Sequence, residues 1–332
     1  MRIATELERL PMTMGYFRLI LRGFGDSDAE RAALLDGTGV GDEDLRNPAA
    51  DISVFQQVRQ IENASALCGP GWAISRPKLW DVPAHGALGV AVVSAPTLAD
   101  SMSVLERYGH VRSPWFKISV RPRAQETLLE LKITAPIETE QWRPMMEIAF
   151  LAIKAMLDTA LGRISVEMIF HFACAKPDYA DRLTAALGGA VKFQARTNHI
   201  ALPSIWRSVV PTHVDPPLYA HAVAELEDVR ARLEAPTNLR AQVERLLRTM
   251  PVGRLDSPSV ARTLGVSRRT LARRLAETHT SFRMLLDAEI KTRARRLLSS
   301  QKLSRPEMAE QLGYRDPTSF SRACRRWFAD ER

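Results

Sequence analysis

The sequence predicts an α+β N-terminal domain followed by an all-α C-terminal domain with two helix-turn-helix units joined by a linker helix. Three observations predict it. Short strand-like runs are mixed with helical runs over the first two thirds of the chain. One supersecondary pattern occurs twice between residues 260 and 328. Charge also divides the chain: residues 236–332 carry 21 Lys+Arg, 19 of them Arg, against 10 Asp+Glu, a net of +11, while residues 1–235 carry a net of −3. The boundaries read as 1–215 for the first domain, 216–237 for an interdomain helix and linker, and 238–332 for the second domain.

In chain order, residues 28–35 read as a helix started by a capping box of Ser27 and Glu30, and residues 54–68 as a longer one. Residues 89–94 are an apolar run expected to be a strand, followed by a helix over 97–108. Runs 116–120 and 127–134, separated by a polar stretch with a proline, predict a hairpin. Residues 142–161 have helical periodicity, 164–172 are strand-like, 177–187 helical, and 191–195 with 199–202 predict a second hairpin. Trp72, Trp80, Trp115 and Trp142 are expected either to pack the core or to line a pocket.

Leu218, Tyr219, Ala222, Leu226, Val229 and Leu233 form a helical stripe ending before Pro236. It suits pairing with a second copy, or packing on its own domain. Asn238 is then expected to cap the first helix of the second domain, with Leu239, Val243, Leu246 and Leu247 inward.

The stretch VARTLGVSRRTLARRL, residues 260–275, breaks at Gly265, the residue type most at ease in a left-handed turn. Ser267 then caps a second helix. At about 100° per residue, Leu275 falls roughly 40° from Leu271, so the two leucines define an inward face. Arg269 and Arg273 land opposite them, with Arg268 and Arg274 on the flanks. Met308-Ala309-Glu310-Gln311-Leu312-Gly313-Tyr314 repeats Val260 to Val266 at an offset of 48. Ser304 and Glu307 form its capping box, and Asp316 before Pro317 opens its second helix. Past the turn the offset is 49, matching Phe320 to Leu271 and Cys324 to Leu275. Between the copies, residues 282–299 read as a helix of about 18 residues with Leu285, Leu286, Ile290, Ala294, Leu297 and Leu298 inward.

A module this basic attracts a phosphate-rich partner through counterion release. Arginine suits phosphates and guanine edges because its planar fork donates two parallel hydrogen bonds. The apolar positions fit two compact cores in place of one lipid-facing stripe, so no membrane partner is expected.

These stretches, with LAETHTSFRMLLDAEIKTRARRLL and MAEQLGYRDPTSFSRACRRW, resemble the DNA-binding domain of the AraC/XylS family of bacterial transcription regulators. The resemblance implies two recognition helices inserted into the major groove of double-stranded promoter DNA. The DNA-binding residues it implies are Arg268, Arg269, Thr270, Ala272, Arg273 and Arg274 in the first unit, and Thr318, Ser319, Ser321, Arg322, Arg325 and Arg326 in the second. His279 stands where a glycine is usual, and the Gly-x-Ser-Pro and terminal aromatic-Arg helix that commonly follow do not follow Phe328, so a less buttressed second unit is expected. LLDGTGVGDEDL, HGALGVAVVSAPTLADSM, FHFACAKPDYADRL and VKFQARTNHIALP resemble the N-terminal effector domain labelled arabinose-binding in one branch of the family. That implies a domain that binds a small molecule of unstated identity or mediates self-association, a homodimer, and RNA polymerase as a partner if the regulator is an activator.

No catalytic constellation competes. His171 and Cys174 lie three apart, on opposite faces if the segment is a strand, without further ligands, so neither a metal nor a cofactor is expected. The seven histidines show no HExxH spacing, and GxSxG and phosphate-loop patterns are absent. Cys68, Cys174 and Cys324 lack paired spacing, as reduced thiols do. The first 25 residues carry no export-signal layout, so the expected location is the cytoplasm, at the nucleoid. The function expected is an effector-responsive, sequence-specific transcription regulator. The alternative is a constitutive DNA-binding protein whose N-terminal domain only oligomerises.

Overall fold

A ribbon of two short antiparallel strands, β1 (Pro11–Thr13) and β2 (Asp51–Ser53), fastens the start of the chain, with Met12 opposite Ile52 and both buried. The computed structural model describes Leu7 and residues 10–47, 50–135, 139–234, 239–249, 256–300, 303–314 and 316–328. The chain divides into two units, residues 1–38 with 45–235, and residues 39–44 with 236–332. Between the ribbon strands run α1 (Gly15–Phe24), α2 (Asp28–Leu35) and the short α3 (Asp42–Arg46). The capping box of Ser27 and Glu30 forms as expected, and Ser53 with Gln56 makes a second one that starts α4 (Val54–Cys68). Short 3-10 turns follow at Trp72–Ile74, Pro77–Trp80 and Val82–His85.

Residues 89–94, expected as a strand, belong instead to helix α5 (Ala87–Ser94). The segment ALGVAVVS is apolar nearly all round, and such a run does not separate a buried strand from a buried helix by periodicity. Burial decides it: Leu88, Ala91 and Val92 are inside, and Ser94 returns its hydroxyl to Val90 O at 2.7 Å. Thr97 then caps α6 (Leu98–Arg112) by accepting from Asp100 N at 3.2 Å.

The five-stranded sheet has the order β3-β4-β7-β5-β6. The first expected hairpin is present as β3 (Phe116–Pro122) and β4 (Glu126–Ile133). Helix α7 (Thr139–Leu161) follows, and Phe150 from it sits against Phe170 and Phe172 at ring separations of 5.7 and 4.7 Å. The expected strand over 164–172 shortens to β5 (Ile169–His171), because Asp158 and Glu167 hold Ser165 and Arg163 in a loop. The helix expected over 177–187 is α8 (Ala180–Leu187).

The second expected hairpin does not form. β6 (Ala190–Lys192) pairs in parallel with β5, while β7 (Asn198–Pro203) pairs antiparallel with both β4 and β5. Residues 193–195 spend their hydrogen bonds on the end of β5, Ala195 N to Phe172 O and Gln194 N to Cys174 O, both at 2.9 Å. β7 thus takes the central place, with Ile200 opposite Phe170 of β5 and both fully buried.

Helix α9 (Pro216–Glu234) packs on its own unit against α5 and α6, burying Ala222 and Leu226. Tyr108 Oη donates to Glu227 Oε1 at 2.5 Å and Arg107 pairs with the same carboxylate at 2.6 Å. The predicted cap at Asn238 and the linker around Pro236 lie outside the described residues, as do residues 329–332.

The second unit is helical: α10 (Leu239–Thr249), α11 (Ser257–Thr263), α12 (Arg268–Ala276), α13 (Phe282–Ser300), α14 (Arg305–Gln311) and α15 (Pro317–Trp327). It has two cores. Val243, Leu246, Leu247, Val260, Leu271, Leu275 and Leu285 make one, and Ala294, Met308, Leu312, Phe320, Cys324 and Trp327 the other. Helix α13 supplies both, Leu285 near its start and Ala294 beyond its middle.

Candidate nucleic-acid interface

Two turns of the same construction present the candidate residues. Gly265 takes a φ of +68° and the chain closes α11 with Val266 N donating to Ala261 O at 3.0 Å. Forty-eight residues on, Gly313 takes +74° and Tyr314 N donates to Ala309 O at 2.9 Å. Only glycine adopts this conformation without a steric cost. Beyond the turn the offset becomes 49, as the sequence indicates: Ser267 Oγ accepts from Thr270 N at 3.1 Å, and Asp316 Oδ1 from Ser319 N at 2.7 Å. Leu271 and Leu275, and their counterparts Phe320 and Cys324, are buried.

With those residues inside, the opposite face of each helix is exposed. Arg268, Arg269, Ala272, Arg273 and Arg274 are exposed on α12, as are Thr318, Arg322, Arg325 and Arg326 on α15. Thr270, Ser319 and Ser321 are half-buried. Thr270 and Ser319 turn their hydroxyls toward the capping residues, to Ser267 Oγ and Asp316 Oδ2, each at 2.8 Å. Arg322 Nη2 lies 3.5 Å from Ser319 Oγ. Arg273 pairs with Glu277 at 2.7 Å, with both side chains more than half exposed. Such a surface pair is weak and exchanges readily for a phosphate or a base edge. Arg326 pairs with Asp287 of α13, also at 2.7 Å.

Two further carboxylates near these helices are capping groups. Asp256 opens α11 and Asp316 opens α15, and the amide of the third residue onward holds each carboxyl below the ordinary carboxylate range. Asp256 is absent from the sequence-level reading although a signal for it exists: Asp256-Ser257-Pro258 has the cap-x-Pro spacing of Ser304-Arg305-Pro306. Asp287 has no such signal, since an aspartate on an exposed stretch of helix reads as solvated. His279, at the position where the family glycine is usual, has a φ of +54°.

Elsewhere, His171 stacks face to face on His199 across β5 and β7, ring centroids 4.1 Å apart, while Cys174 is buried beyond the strand end. Among the described residues no group of three or more His, Cys, Asp or Glu is placed to hold a metal ion, and no helix is long and apolar enough to cross a membrane. Trp72, Trp80 and Trp115 are buried and Trp142 is half-buried.

Comparison with known proteins bears on both units. The arabinose-binding domain of AraC transcription regulators matches residues 29–208, and a helix-turn-helix domain matches residues 260–330. The ornithine utilization regulator of Pseudomonas aeruginosa is 26% identical over 95% of this chain and 93% of its own. The HTH-type transcriptional regulator VirS of Mycobacterium tuberculosis is 24% identical over 84% of this chain and 82% of its own. The crystal structure of the transcriptional regulator CdpR from Pseudomonas aeruginosa aligns over 78% of this chain and 84% of that one, with 22% identity and a TM-score of 0.41.

Proposed function

Since this chain belongs to the AraC-type transcription regulators that carry an arabinose-binding N-terminal domain, and is a DNA-binding transcription regulator, we propose that it reads two DNA boxes with two recognition helices and answers to a small molecule bound by its first unit. Helices α12 and α15 enter successive major-groove segments of promoter DNA. Arg269, Ala272 and Arg273 face one box, and Thr318, Ser321 and Arg322 the other. Arg268, Arg274, Arg325 and Arg326, nearer the flanks, meet phosphates, with Thr270 and Ser319 at the helix starts.

The observation that carries this reading is the register of the two units, in which matched glycine turns and caps leave matched faces exposed. Helix α13 has 19 residues, about 28 Å at 1.5 Å per residue, near the roughly 34 Å between major grooves on one DNA face. Footprinting the second unit on an operator selected from random DNA tests it. Protection of two groove segments about one turn apart is expected, and protection of a single segment overturns the two-box reading.

For the first unit, the proposal is an effector domain over residues 1–215 that also supports a homodimer, joined through α9 and the segment up to 237 to the DNA reader at 238–332. The protein works at chromosomal DNA in the cytoplasm, with RNA polymerase as a further partner where it activates. A constitutive binder whose first unit only assembles oligomers is the competing reading. A metabolite screen separates the two, because an effector raises the melting temperature by mass action and an assembly domain is indifferent to it.

A further inference from the structure

A cavity in the first unit is bounded by α1, α4, α7, the Pro77–Trp80 turn and the segment joining α6 to β3. Its wall is mostly apolar, from Ile20, Ile61, Trp80, Phe116 and Ile148. Two polar side chains on it are buried with one atom each lacking a partner: Gln57, fully buried, at Oε1, and Trp115, 4% exposed, at its indole N–H.

The neighbouring network fixes which way Gln57 points. Gln60 Nε2 donates to Phe17 O at 3.0 Å, so Gln60 offers its oxygen to Gln57, whose Nε2 donates to it at 3.0 Å. Gln57 Oε1 is therefore the end left over. A neighbouring chain of buried polar groups is satisfied. Tyr16 Oη donates to His85 Nδ1, His85 Nε2 donates to Trp80 O, both at 2.8 Å, and Trp80 Nε1 donates to Ala73 O at 2.7 Å. An unmet buried donor or acceptor costs about 1–3 kcal/mol, and native interiors rarely keep one without a use.

We propose that this cavity is the effector site, and that it takes a small uncharged molecule, apolar over most of its surface, whose hydroxyl or amide group donates to Gln57 Oε1 and accepts from Trp115 Nε1. The proposal rests on the effector-responsive reading above and adds the place and the ligand class. No Asp, Glu, Lys or Arg lines the cavity; Arg112 lies behind it, over the ring of Tyr16 at 4.7 Å, so an ammonium group brought there would lose its hydration with no carboxylate to meet it. A zwitterion is thereby disfavoured. The space between the side chains takes about two waters, at roughly 10–15 Å³ of free volume each, so a single-ring ligand requires one wall to yield. Met145, unbranched and on the wall, is the side chain suited to that.

The experiment is thermal melting of the full chain with phenol, toluene, 2-naphthol and L-phenylalanine, on wild type, Gln57→Leu, Trp115→Phe and Met145→Ala. Phenol is expected to raise the melting temperature of wild type by at least about 2 °C and to exceed toluene, with L-phenylalanine inert. The advantage of phenol over toluene should disappear in Gln57→Leu and Trp115→Phe. Met145→Ala keeps both polar atoms and should shift the preference toward 2-naphthol, which provides a reading if either polar variant fails to fold. The site is overturned if toluene matches phenol, if L-phenylalanine exceeds both, or if the advantage of phenol survives in both polar variants. It is also overturned if no compound raises the melting temperature of wild type. A charged metabolite that stabilises wild type and both polar variants equally overturns this site while sparing the effector reading.

Discussion

Asp287 of α13 accepts the indole N–H of Trp327 from α15, Oδ2 to Nε1 at 2.9 Å, while its other oxygen takes Arg326 at 2.7 Å. Trp327 is 8% exposed, so its N–H is one of the buried donors the second core has to satisfy. Lys291 and Arg295, further along α13, lie over the ring of Phe328 at 5.6 and 5.4 Å. Contacts along one helix thus hold the end of α15 in place.

Asp287→Ala is expected to destabilise the second unit by about 1–3 kcal/mol, the cost of a buried donor left without its acceptor. Urea unfolding followed by tryptophan fluorescence measures it. A loss below about 0.5 kcal/mol would place the hold on α15 in its apolar contacts alone.

His279 closes α12 in a left-handed conformation. Its N–H meets Ala276 O at 3.0 Å, and Thr280 N returns to Leu275 O at 3.1 Å. A side chain there costs about 1–2 kcal/mol that glycine avoids, less the backbone entropy glycine loses on folding. His279→Gly should therefore raise the stability of the second unit by about 1 kcal/mol without altering base preference. A neutral or lower urea midpoint would show that the imidazole makes a compensating contact.

What the sequence disclosed follows from the range of the interactions involved. Gly265, Gly313, Ser267, Asp316 and the Ser304–Glu307 box act within four residues, so spacing alone reveals them. The order β7-β5-β6 depends on Phe170 meeting Ile200 thirty residues away, which no local period encodes. Helix α5 was hidden by its uniform apolarity, and Asp287 by its place on an exposed stretch. Gln57 was hidden because a glutamine in an amphipathic helix reads as solvent-facing, whereas tertiary packing closes over it.

The first unit holds two titrating groups with opposite slopes. Glu147, buried with Tyr179 Oη donating to it at 2.7 Å, is pushed up to about 7 by burial. Between about pH 4.5 and 7 the folded carboxyl keeps a proton that the unfolded chain releases, so its contribution falls as pH rises through that window. His85 is pushed down to about 4 by burial, so between about pH 6.5 and 4 the unfolded ring binds a proton that the folded ring refuses, and stability falls as pH drops. Glu147→Gln removes the first slope only. The stability of the variant relative to wild type should rise with pH from about 4.5 to 7, by up to about 1.4 kcal/mol per pH unit. A pH-independent difference in urea midpoints would mean that Glu147 titrates normally.

Residues 236–332 carry the net charge of +11, so they alone should bind DNA with a steep salt dependence. If six to ten phosphates are contacted, affinity falls by about 10³ to 10⁵ between 50 and 200 mM salt. Fluorescence anisotropy of a labelled duplex measures this, and binding indifferent to salt would contradict phosphate contact by this unit.

The exposed faces of α12 and α15 are matched in place and unmatched in chemistry: Arg269, Ala272 and Arg273 stand where Thr318, Ser321 and Arg322 stand. The two boxes should therefore differ in sequence. Arg273 pairs with the exposed Glu277, and Arg322 reaches toward Ser319 at the limit of hydrogen bonding; both contacts are exposed, so both side chains can turn to a base edge at little cost. Arg273→Ala should relax base preference in one box and Arg322→Ala in the other, each by about 1–3 kcal/mol if the contact is bidentate to guanine. Arg268→Ala and Arg274→Ala should weaken all sequences alike, as loss of phosphate contacts does. Arg326→Ala carries a second consequence, since it also releases one oxygen of Asp287 and so loosens the hold on Trp327. Its effect on binding should be accompanied by a lower melting temperature, which Arg322→Ala should not show. Binding measured against a library randomised across both boxes decides the matter. If Arg273→Ala and Arg322→Ala change preference at the same base positions, the two helices do not read separate boxes. If Arg322→Ala changes none, α15 supports the reader without reading.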